Sequence, residues 1–82
     1  MENIKGKELY ELLENGTVVL SDDKKTLINK TTNEVLGRQV DFKDGVGYFH
    51  AIGDEDNSVR GKVCLTYEWS DKLKVNVCVV WK

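Results

Sequence analysis

Few side chains in this chain are equipped for chemistry: Cys64, Cys78, His50 and the acidic run Asp54-Glu55-Asp56. The two cysteines flank Ser70-Asp71-Lys72 in a C-x13-C spacing, which is not a C-x-x-C redox motif. A zinc site needs four ligands, and only His50 remains to join the two thiols. A bridge between directly opposed strand positions is strained, because Cβ atoms there lie about 4.5–5.5 Å apart against about 3.8 Å in a relaxed disulfide. The opening MENIKGKELYELLENG has no apolar core suited to a secretory leader. The pair therefore reads as two reduced, half-buried thiols in a cytoplasmic protein.

His50 sits in a strand pattern that places Gln39 across from it, with Tyr48 and Asp41 on the same face. Such a polar group could orient an imidazole for acid–base work or hold a small ligand, and it also reads as solvated sheet surface. No Ser or Cys nucleophile can be assigned to His50, and no phosphate loop or dinucleotide fingerprint is present, so an enzyme is not expected. Asp54-Glu55-Asp56-Asn57 begins like a calcium loop but lacks Gly at the sixth place and carries Leu65 where the bidentate Glu belongs. Neither metal nor cofactor is implied. The carboxylates of this loop, with Asp22 and Asp23, could instead meet a basic partner.

Pattern places the helix and strands that carry these residues. Eighty-two residues make one small domain, 40% hydrophobic and free of Pro. Twelve basic against fourteen acidic residues give a net charge of -2, which argues against nucleic acid as a partner. No segment approaches the roughly 20 apolar residues of a membrane helix. Lys7–Glu14 forms the one helix, beginning near Ile4 and stopping at Asn15-Gly16, with Leu9, Leu12 and Leu13 on one stripe. Strands come next at Thr17–Ser21, Thr26–Thr31 and Val35–Phe42, and Asp44-Gly45 turns the chain into a hairpin. Counting outward from that turn puts Val40, Phe42, Phe49 and Ala51 on the core face, with Gln39, Asp41, Tyr48 and His50 on the other.

In the last hairpin, Val63–Trp69 and Leu73–Trp81 share an apolar face if Trp69 opposes Leu73 across a three-residue loop. Cys64 then opposes Cys78 on the far face. The run Val77-Cys78-Val79-Val80-Trp81 is apolar on both faces, as in a strand covered on both sides. Either the sheet curls into a partly closed barrel, or Ile52, Cys64, Cys78 and Val80 form a patch that a protein partner or a second copy covers. A strand of this kind at a sheet edge would also invite self-association. The expected fold is α+β: one N-terminal helix packed on a twisted antiparallel meander of five or six strands.

GKELYELLENGTVVL, Gly6 to Leu20, is a short amphipathic helix ending at Asn-Gly and running into a strand. It resembles the start of many small phage-encoded proteins. Small size, mild acidity and the lack of catalytic motifs are likewise similar to phage inhibitors of bacterial defence, of the anti-CRISPR and anti-restriction type. The resemblance implies a non-catalytic binder in the host cytoplasm that occludes a defence protein or a signalling nucleotide.

Overall fold

The computed structural model describes residues 4–55 and 63–81. Helix α1 (Gly6–Glu14) precedes strands β1 (Val18–Leu20), β2 (Thr26–Asn29), β3 (Val35–Lys43) and β4 (Val46–Ala51). A 3₁₀ turn (Ile52–Glu55), β5 (Cys64–Ser70) and β6 (Val75–Trp81) follow among the described residues. The α+β architecture is as expected, with all six strands in one sheet in the order β1-β2-β3-β4-β6-β5.

The end of α1 is set by its own sequence. Gly16 adopts φ +91°, and the amides of Gly16 and Thr17 donate to the Leu13 and Leu12 carbonyls at 3.3 and 2.9 Å. The start of α1 is held from elsewhere. Asp54 accepts the Gly6 amide at 2.8 Å, and the Gly53 amide donates to the Ile4 carbonyl at 2.8 Å. Here the helix backbone touches β6, and a Cβ on Gly6 would collide with the Cys78 carbonyl oxygen. Ile4, Leu9 and Leu13 of this segment bury themselves against Val18, Leu27, Phe49, Ala51, Val75 and Val77.

Sheet order departs from the expected meander. β6 runs parallel to β4, with Gly47 beside Val75 and Phe49 beside Val77, and β5 is carried to the edge. Parallel neighbours need a long crossover, and the chain between Ala51 and Val75 supplies it. The C-terminal strand is therefore interior, which explains its apolar run without a closed barrel. The sheet is open, with β1 and β5 as its edges.

Two registers also depart from expectation. The Asp44-Gly45 turn is confirmed, both residues having positive φ (53° and 81°), and Phe42 faces Gly47. A bulge then intervenes, because Asp41 faces Tyr48 while Gln39 faces Phe49. Each extra residue on one strand reverses the facing of the residues beyond it. Gln39 consequently turns to the helix side, and Val40 is 46% exposed instead of buried. Phe42 lies on the helix side but is 61% exposed.

The last hairpin turns through four residues, Asp71–Lys74, so that Ser70 faces Val75. This offset differs from the expected one by an odd number of residues. Tyr67 and Trp69 therefore join Cys78 and Asn76 on the face away from α1, while Glu68 and Ser70 face the helix side. The helix accepts these polar groups. The Ser70 hydroxyl donates to Glu14 at 3.1 Å and accepts the Leu73 amide at 3.2 Å, and the Tyr10 hydroxyl donates to the Trp69 carbonyl at 2.8 Å. Leu65, expected in the core, sits in a bulge and is exposed.

Candidate functional site

Helix α1 covers one side of the sheet. On the other side, four rings from three strands meet. Tyr48 and His50 project from β4 in the period of two that a strand imposes. Tyr67 comes from β5 and Trp81 from β6. The Tyr48 and Tyr67 rings meet edge to face with centroids 5.1 Å apart, and His50 stacks on Tyr67 at 5.9 Å. Trp81 stands edge-on to His50 at 4.6 Å. The His50 Nε2 and the Tyr67 hydroxyl form a hydrogen bond of 2.8 Å.

Charges from β3 flank this cluster. Arg38 is the cross-strand partner of His50, and Asp41 that of Tyr48. Lys43 lies 3.4 Å from the Asp41 carboxylate and 5.9 Å from the centre of the Tyr48 ring. Burial pushes the His50 pKa below its usual value, with the Asp54 carboxylate pulling the other way. Burial also pushes the Tyr67 hydroxyl up, assisted by Asp41 and Tyr48. An unprotonated imidazole bonded to an un-ionised phenol is a neutral, pre-arranged pair. It offers stacking surface and hydrogen-bond direction.

Behind the rings, Cys64 and Cys78 are joined by a disulfide of 2.07 Å with Cα atoms 6.1 Å apart. This corrects the expectation of reduced thiols. The expectation rested on direct opposition, whereas Cys78 faces Tyr67 and Cys64 faces Trp81. The register set by the four-residue turn displaces Cys64 from the position opposite Cys78, and the bulges at Leu65 and Val79 return it to the face of Cys78, so the objection to a directly opposed bridge does not apply. A disulfide is not typical of a reducing cytoplasm. Among the described residues, no helix is long and apolar enough to cross a membrane, and no group of three His, Cys, Asp or Glu side chains gathers to hold a metal.

Of the candidate ligand residues, Asp41, Tyr48 and His50 share this face, and Gln39 does not. The candidate partner residues scatter. Asp22 and Asp23 lie in the β1–β2 turn, where Asp23 accepts the Ser21 hydroxyl at 2.6 Å and the Lys25 amide at 3.0 Å. Those bonds hold its carboxyl below the usual range. Asp54 is buried under α1 and is no acidic protrusion; Glu55 closes the 3₁₀ turn, and Asp56 lies outside the described residues. Ile52 packs against the core, while Val80 is exposed on the strand beside Cys78. Tyr67 and Trp81 belong to the site although the expected register sends them into the core. The turn length after Ser70 places Tyr67 here, and the bulge at Val79 turns Trp81 to the same face.

Comparison with known protein families, curated proteins and solved structures finds no match to this chain.

Proposed function

We propose that this protein is a non-catalytic binding module that occludes a protein partner with the aromatic face of its sheet. The observation that carries the reading is the cluster of Tyr48, His50, Tyr67 and Trp81 on a side of the sheet that no described helix covers. Tyr and Trp concentrate at the centres of protein interfaces, where they bury large area for few rotatable bonds. These rings already restrain one another, so little side-chain freedom remains to be lost on binding. Arg38, Asp41 and Lys43 provide a charged border of both signs. The resemblance to phage inhibitors of bacterial defence supplies the class of target, a host defence protein, and occlusion requires coverage of that target without chemistry. Native mass spectrometry of the protein captured from host extract tests this. A stoichiometric complex is expected with the wild type and none with Tyr48→Ala/Tyr67→Ala; a complex indifferent to that double change defeats the proposal.

Self-association is the second reading, favoured by one observation. β5 is an edge strand carrying Leu65 at 60% exposure and Trp69 at 43%. The C-terminal strand itself is interior and has no free edge along its pairing with β5, so the route would be β5. Light scattering at high concentration separates the readings: a dimer broken by Leu65→Lys supports assembly, and a monomer removes it.

A further inference from the structure

The outer strand β5 is held unevenly along its length. Of its seven residues only Ser70 is buried, and none belongs to the apolar core. Its last residues are anchored to α1, where Glu14 accepts the Ser70 hydroxyl and the Trp69 carbonyl accepts the Tyr10 hydroxyl. Its first residues are placed differently. Leu65 and Thr66 are exposed, and the ladder to β6 shifts register twice between Cys64 and Tyr67. Bulged rungs disrupt the ladder, so this stretch is the weakly held end of the strand.

One covalent bond crosses that stretch, from Cys64 to Cys78. Cys78 is the cross-strand partner of Tyr67, and Cys64 that of Trp81. The bridge therefore runs diagonally between the two rungs that deliver Tyr67 and Trp81 to the aromatic face. The other two rings, Tyr48 and His50, stand on β4, whose alternate residues Phe49 and Ala51 lie in the core. Half of the cluster is thus fixed by the core and half by the bridge. Between the halves run one hydrogen bond and half-buried ring contacts. Those offset only a fraction of the conformational entropy of a bulged edge segment.

We propose that the Cys64–Cys78 bond is a redox-sensitive latch: reduction by a dithiol releases residues 64–67 from the sheet and takes the aromatic face apart. Cys64 is half-buried and Cys78 fully buried, so Cys64 is the sulfur within reach. A thiolate of the dithiol attacks the Cys64 Sγ, the S–S bond breaks, and its electron pair leaves on the Cys78 Sγ, which takes a proton. The second thiol of the reductant gives up its proton and displaces the Cys64 sulfur, which is released as a thiol. Two protein thiols and one cyclic disulfide result. β6 keeps its place, because Val75 and Val77 are buried and the Cys78 carbonyl abuts Gly6 of α1. Tyr67 leaves with β5 while His50 stays on β4. The consequence for a partner rests on the reading of this face given above: the oxidised form presents the surface and the reduced form withdraws it.

The test compares the oxidised protein with protein in excess dithiothreitol by NMR. No partner enters it, so its result is separate from that of the capture experiment. Reduction should abolish the nuclear Overhauser contacts between the Tyr67 and His50 rings. Amide exchange across residues 64–67 should rise at least about tenfold more than across β4. Cys64→Ala/Cys78→Ala should reproduce both changes without reductant. Ring contacts that persist once thiol titration finds both cysteines free overturn the proposal. So does an equal rise in exchange across residues 64–67 and β4, or loss of the whole fold, since the bond would then support the entire domain and not one strand end.

Discussion

The same strands furnish two unlike surfaces, one turned to α1 and one turned away. Toward the helix, Phe49, Ala51, Val75 and Val77 are fully or almost fully buried against Leu9 and Leu13. Away from it, the intervening residues Tyr48, His50 and Tyr67 are only half-buried, and they contact one another as rings and through a hydrogen bond. Adjacent residues of one strand thus serve opposite purposes. Aliphatic packing holds the domain together because burial there is complete. The ring cluster contributes less to stability, since much of its surface still meets water, and it retains surface that a partner can cover.

The largest expected effect separates the two sides directly. Phe49→Ala should cost about 3–5 kcal/mol, a large share of the stability of about 4–12 kcal/mol for a domain of this size. Tyr48→Ala, one residue away on the other face, should cost about 1 kcal/mol. Urea denaturation measures both, and equal losses would abolish the distinction. Next comes the covalent link behind the rings. Reduction, or Cys64→Ser with Cys78→Ser, should cost about 3 kcal/mol for a loop of this length and lower the melting temperature by about 10–20 °C. Calorimetry with and without reductant reads that shift, and thiol titration of freshly isolated protein reports whether the bridge is present.

Gly6→Ala tests the seam between helix and sheet, where the new methyl meets the Cys78 carbonyl. A loss of about 1–3 kcal/mol is expected in the same denaturation assay. Tyr67→Phe removes only the hydroxyl bonded to His50 and should cost about 0.5–1.5 kcal/mol. The smallest effect is acidic. His50 has a folded pKa below its unfolded value, so the unfolded state binds the proton more readily. Its contribution is complete above the unfolded pKa of about 6.5 and is lost as pH falls through the lower folded one. Stability should therefore decline as pH falls below about 6.5, and His50→Gln should flatten that part of the profile.

The local signals were legible. The leucine spacing of α1, its stop at Asn15-Gly16 and the Asp44-Gly45 turn are dictated by residues within a few positions of one another. The placing of Asp41, Tyr48 and His50 on one face also depends on residues near that turn. Facing was lost farther along because bulges at Val40, Leu65 and Val79 each break the alternation that the expectation assumed. Tyr67 could not be assigned to the site without the four-residue turn at Asp71–Lys74, nor Trp81 without the bulge at Val79. The insertion of β6 between β4 and β5 is a long-range pairing, and no short pattern encodes it.

The sulfur bridge ties an outermost strand to its inner neighbour. Copies of a small protein can trade a terminal hairpin or a border strand when that piece detaches and docks on a sister molecule. Cys64 on β5 cannot leave Cys78 on β6 while the bond persists, so a lone β5 is never free to be lent. Any intertwined form of this protein must either pass both strands together or be born under reducing conditions.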